Sequence, residues 1–143
     1  MQNELTKEEK TIQTTLNKLI SEEFVANLLY KSLYNKLLFQ KTKGLDDIES
    51  FKFLIDIAKD EYEDHYLKLA EYALKYNFKF PTNLKDIEKN SSSSIKQLNT
   101  IKDDESPIYY INEAIKSEIN SIKTYENVIN SKQFPYELTS ICT

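Results

Sequence analysis

The chain has 143 residues, 40% hydrophobic and 29% charged, with a net charge of −4. That hydrophobic content supports a packed core and excludes wholesale disorder. One Gly and three Pro are too few turn formers for a many-stranded β fold, which leaves long helices. The acidic balance offers no broad basic surface, so nucleic acid is not an expected partner, and Lys41 and Lys43 read as ordinary solvated surface. Cys142 is the single cysteine, which rules out an intrachain disulfide and a Cys-based zinc site. A lone thiol fits a reducing compartment. The first ten residues lack the apolar h-region of a signal peptide, and no segment reaches the ~18 apolar residues of a membrane span. The expectation is a cytoplasmic protein with no membrane partner.

The first helix is predicted to begin near Thr6 or Thr11 and to run to about Gln40, with the spans taken as 8–40. Its stripe is Leu16, Ile20, Glu23, Asn27, Tyr30, Tyr34 and Leu37, at three- and four-residue steps. Gly44 supplies a stop, and Asp46 or Asp47 opens a second helix, taken as 46–78. That helix carries Phe51, Leu54, Ala58, Glu61, His65, Leu69 and Tyr72, and Pro81 closes it. The short link makes the two helices antiparallel neighbours. Residues 81–105 are polar, include the run Ser91 to Ser94, and read as a long crossover with a turn of helix near Leu84–Glu88. Ser106-Pro107 reads as an N-cap and first position of a third helix over 106–131. Its stripe is Ile111, Ala114, Ile115, Glu118, Ile122, Tyr125 and Ile129. Residues 135–143 read as the first turns of a fourth helix, which the sequence ends before completing.

Glu23 and Glu118 interrupt apolar stripes, and each is followed seven residues later by a tyrosine, Tyr30 and Tyr125, on the same helical face. A buried carboxylate is costly unless a positive group neutralises it, so these carboxylates ask for a shared cation. Glu61 and His65, four residues apart, share a face of the intervening helix. Carboxylate oxygens with imidazole are donors suited to Fe(II) and Fe(III). In di-iron bundles two helices each give one Glu and two give a Glu with a nearby His. Glu23 and Glu118 suit the first role, and Glu61 with His65 the second. Tyr30 and Tyr125 read as core residues whose hydroxyls can bond a ligand carboxylate. Taken singly each of these residues has an ordinary explanation: a boundary glutamate, a surface histidine, an incidental Cys142.

Leu16-Asn17, then Glu23 and Leu28-Leu29-Tyr30, then Asp60-Glu61-Tyr62-Glu63-Asp64-His65, then Lys116-Ser117-Glu118, follow in an order that resembles the ferritin-like superfamily, in particular bacterial ferritins and Dps-like mini-ferritins. The resemblance covers most of residues 11–143. It implies an all-α, antiparallel four-helix bundle with a long crossover between second and third helices and a truncated fourth helix. It further implies Fe(II) oxidation by O2 or peroxide at a di-iron centre (ferroxidase chemistry), iron storage, protection from oxidative stress, and a homo-oligomer that could form a cage. The implied metal ligands are Glu23, Glu61, His65 and Glu118. Two features depart from the family. Tyr62 stands three before His65, where the family has Glu, so Asp64 is a further candidate ligand. The fourth helix, which brings a second Glu/His pair, is cut short. A rubrerythrin-like peroxide reductase is disfavoured by the lack of a four-cysteine module, and a non-catalytic helical interaction subunit is the remaining alternative.

Overall fold

The first helix, α1 (Lys7–Lys41), starts from a reciprocal cap. Glu9 N donates to Thr6 Oγ1 at 3.1 Å, and Thr6 N donates to Glu9 Oε1 at 3.0 Å, so two orphan amides are satisfied at once. Hydrogen bonds to the carboxyl from the Thr6 backbone amide, and secondly from its side chain, hold Glu9 below its ordinary range. The computed structural model describes residues 4–41, 48–91 and 95–143, with backbone alone for 40–41, 48–51, 61 and 95–97. Gly44, Asp46 and Asp47 lie outside those residues, as do the side chains of Phe51 and Glu61.

The second long helix is built from three pieces: α2 (Ile48–Asp60), a π-helical segment (Glu61–Tyr66) and α3 (Leu67–Lys75). In the π segment the Leu67 amide reaches back five residues to the Tyr62 carbonyl. Such wide turns are rare and concentrate at functional positions. The helix ends at Lys75, six residues before Pro81, because Asn77 adopts the left-handed conformation (φ 57°). Phe78 N then bonds Ala73 O at 2.8 Å and Asn77 N bonds Leu74 O at 3.3 Å, a Schellman closure with Phe78 buried against the core. Asparagine tolerates that conformation, so proline is not needed to stop the helix.

The crossover contains α4 (Leu84–Asn90), capped by Asn83 Oδ1 accepting from Asp86 N at 2.9 Å, and a 3₁₀ segment (Ile95–Thr100). It is fastened to the next helix, α5 (Pro107–Ser131), by two adjacent tyrosines. Tyr110 OH donates to Lys102 O at 2.9 Å, and Lys102 N donates to Tyr109 OH at 3.1 Å. Pro107 is the first residue of α5, whereas the Ser106 side chain makes no capping bond. The last element is the short α6 (Tyr136–Ile141).

Helices are the only regular elements among the described residues, so the fold is all-α. None of them is long and apolar enough to cross a membrane. Helix α1 packs against both α2–α3 and α5. The core falls into two clusters. One joins Leu16, Leu19 and Ile20 of α1 to Leu69, Tyr72 and Ala73 of α3, Tyr125 and Val128 of α5, and Leu138. The other joins Ala26, Tyr30, Leu33 and Leu37 to Leu54, Ala58, Tyr110 and Ala114. Two positions of the expected α5 stripe fall outside both clusters: Ile115 is 42% exposed and Ile122 is 54% exposed. The packed face of α5 is rotated toward Tyr110, Ala114, Tyr125 and Val128, leaving those isoleucines on its flank.

Helix α6 is six residues long and packs against the end of α3. Leu138 is fully buried, and Glu137 accepts from Lys75 Nζ at 2.7 Å and from the Tyr76 hydroxyl. Leu138→Ala is expected to cost about 2–5 kcal/mol, as a buried leucine truncation that leaves a cavity. Urea denaturation checks this: an unchanged midpoint would mean that α6 is only loosely attached.

Candidate functional site

Between the two clusters the apolar interior is interrupted on all three long helices. On α1 the gap holds Glu23, on the second helix it holds the π segment with His65, and on α5 it holds Glu118. Glu23 is only 3% exposed. Tyr125, on α5, donates its hydroxyl hydrogen to Glu23 Oε1. His65 Nδ1 lies 3.8 Å from the same oxygen, and the His65 and Tyr125 rings pack with centroids 5.1 Å apart. Across the same pair of helices Tyr30, on α1, donates to Glu118 Oε1.

The two bonds are reciprocal: each helix gives one tyrosine and receives one on its glutamate. This requires α1 and α5 to run antiparallel in a single register, because a shift by one residue on either helix separates both pairs. Seven residues of helix place the two bonds about 10 Å apart along the axis. Each bond is charge-assisted, and removing its donor leaves a carboxylate with part of its desolvation uncompensated.

Cys142 joins this neighbourhood from the other side. It is 7% exposed and packs in the cluster that contains Tyr125. Burial pushes its thiol up to about 11, and the charge of nearby Glu23 adds to the effect. The lone cysteine, unremarkable in sequence, therefore reports on Glu23.

Of the residues singled out in sequence, the fold brings Glu23 and His65 together. Glu118 is held by Tyr30 at the other end of the polar layer. Asp64 is exposed on the π segment, and the Glu61 side chain lies outside the described residues. Among the described residues no three His, Cys, Asp or Glu side chains gather at metal-binding range. Carboxylate oxygen and imidazole nitrogen are donor types that divalent transition metals accept.

No family model, curated protein or solved structure matches the chain.

The cross-helix pairing was only half visible in sequence. The shared Glu-to-Tyr spacing of seven was present on both helices. That each tyrosine serves the opposite helix's glutamate follows only from antiparallel packing. Cys142 carried no signal beyond its apolar neighbours Leu138 and Ile141.

A thiol raised from 9.0 to about 11 favours the folded state while it stays protonated. The native chain keeps that proton where an unfolded chain has lost it. The stabilisation is therefore full below about pH 9 and is lost as pH rises from there toward 11. Iodoacetamide alkylation followed against pH should show a midpoint well above that of a free thiol. Glu23→Gln should lower the midpoint only in part, since burial is the larger cause. A native midpoint at the free-thiol value would contradict the placement of Cys142.

Proposed function

We propose that the chain is a ferritin-like iron-handling protein in which Glu23 and His65 seat Fe(II) for oxidation by O2 or peroxide. The observation that carries this reading is the polar layer. Each of the three long helices breaks its apolar face between the two clusters, and two of them bring a carboxylate and an imidazole to within 3.8 Å of each other. Evolution of a merely structural bundle would favour apolar residues there, because buried ion pairs are seldom worth their desolvation. The helix order, with a hairpin of long helices, a crossover and a third long helix, also fits a ferritin-type four-helix arrangement.

Iron enters as substrate: each Fe(II) gives up one electron, so two Fe(II) with two protons reduce one hydrogen peroxide to two waters, and four Fe(II) with four protons reduce one dioxygen to two waters. Glu23 Oε1 and His65 Nδ1 supply the first donors, and Glu61, four residues before His65 on the same helix, is the carboxylate assigned to join them, while Glu118 stands about 10 Å along the axis from the Glu23 bond. Tyr125 and Tyr30 orient the carboxylates by holding one oxygen of each. A full di-iron set uses four Glu and two His. The described residues fit one iron position more closely than two.

A second reading has its own support. Each glutamate accepts a hydrogen bond from a tyrosine of the opposite helix, so the two bonds also work as a pair of cross-braces in a helical interaction subunit. Anaerobic Fe(II) titration separates the two. Iron handling predicts saturable binding near one ion per chain, weakened at least about tenfold by Glu23→Ala or His65→Ala, and ferric absorbance on adding peroxide. A folded wild-type chain with no saturable uptake, destabilised by Tyr125→Phe, would leave only the brace.

Storage of ferric product in a homo-oligomer is part of the same proposal. Ile108, Ile115, Ile119 and Ile122 line one flank of α5 and are 42–68% exposed. Spaced at three, four and seven residues, they form an apolar stripe of the kind that marks association surfaces. Sedimentation should find an oligomer that Ile115→Lys with Ile119→Lys breaks down; a wild-type monomer at micromolar concentration would remove the cage from the reading.

A further inference from the structure

Between α1 and the second long helix lies an open cavity of about 390 Å³, lined by those two helices alone. That volume lies within the range of small-molecule sites. Half-buried Asn27 and buried Ala58 make its floor, and Asn27 Nδ2 donates to the Ala58 carbonyl at 3.0 Å. That bond fixes the register of the two walls. The helices run antiparallel, since Leu16 shares a cluster with Leu69 while Leu37 shares the other with Leu54.

Lys31 and Lys59 are the charged residues among those lining the cavity, and both are exposed. Lys31 stands four residues past Asn27, and Lys59 stands one residue past Ala58 in the opposite direction. Their levels are therefore about 7–8 Å apart along the axis. Side chains on a helix lean toward its N-terminus, and in this antiparallel pair that tilts the two lysines toward each other. Each has a flexible four-carbon stem of about 6 Å, so both ammonium groups can close on one oxyanion. Asp56 and Glu63 flank Lys59 on its own helix but lie outside the lining, and among the described residues neither lysine makes an ion pair. A chain of net charge −4 thus turns two ammonium groups toward a single cavity.

At the Lys59 end the wall is aromatic. Tyr62, four residues past Ala58, is 47% exposed, and its ring stacks on Tyr66 with centroids 5.6 Å apart. The stack holds one face of the ring and leaves the other for a second flat partner. Ile55 and Tyr34 continue the wall toward the Lys31 end.

We propose that this cavity binds a small aromatic phosphate monoester, its phosphate between Lys31 and Lys59 and its ring against Tyr62. The charge of a phosphate monoester at neutral pH, close to two, matches the two ammonium groups. The site is separate from the proposed iron site, none of whose ligands lines it.

Phenyl phosphate, inorganic phosphate and benzylamine serve as probes without iron, with amide chemical shifts of the intact chain as the readout. Phenyl phosphate should shift the Asn27, Lys31, Lys59 and Tyr62 amides saturably, and benzylamine should not. Inorganic phosphate should bind about fivefold more weakly, the order of one aromatic pair, and Tyr62→Ala should remove that difference. Lys31→Gln and Lys59→Gln should each weaken phenyl phosphate about threefold, as expected of a solvent-facing charge contact. All three positions are exposed, so the helical circular dichroism should be kept. Equal shifts with benzylamine, phenyl phosphate no tighter than inorganic phosphate, or affinity unchanged in the doubly substituted lysine variant would each overturn the proposal. So would the lack of saturation up to about 10 mM phenyl phosphate.

Discussion

A buried carboxylate, Glu23, and a half-buried one, Glu118, need hydrogen-bond donors, and here each finds one on the opposite helix. The Tyr125–Glu23 and Tyr30–Glu118 bonds tie α1 to α5 at two levels. Apolar contacts alone tolerate small slides of one helix along another, since leucine against leucine changes little with a shift. A charged oxygen within reach of a single phenol does not. The register of the bundle therefore rests on polar contacts, while its stability rests on the two apolar clusters on either side.

The π segment belongs to the same logic. It lies on the second helix between the two apolar clusters, with His65 beside Glu23. A wider turn there changes the direction in which later side chains leave the helix. His65 meets Glu23 and Tyr125 inside the segment, and Leu69, Tyr72 and Ala73 return to the core just after it. Backbone that departs from the α pattern at the polar layer, and resumes it in the apolar clusters, is what a side-chain cluster with a directional task requires.

The helical class was legible because it depends on composition, and one Gly in 143 residues leaves few alternatives. Glu23 was legible because a carboxylate in an apolar stripe is anomalous, and it is buried. The stripe of α5 was misjudged at Ile115 and Ile122. Isoleucines ring much of that helix, so periodicity could not choose which of them face α1. The end of α3 was misplaced for a local reason: an asparagine in left-handed conformation stops a helix as well as a proline does, yet has no unique sequence mark. The contact of Cys142 with the Glu23 neighbourhood lay beyond reading, since it joins residues far apart in the chain.

Distance along the chain also sets the order of events during synthesis. Leu16 and Leu138 share one cluster although more than a hundred residues separate them. At translation speeds of about 5–20 residues per second, α1 emerges on the order of ten seconds before Leu138 exists. Through that interval Leu16, Leu19 and Ile20 lack their final cover, and Glu23 has no tyrosine. The nascent first helix is thus the stretch on which a chaperone would have the longest time to act.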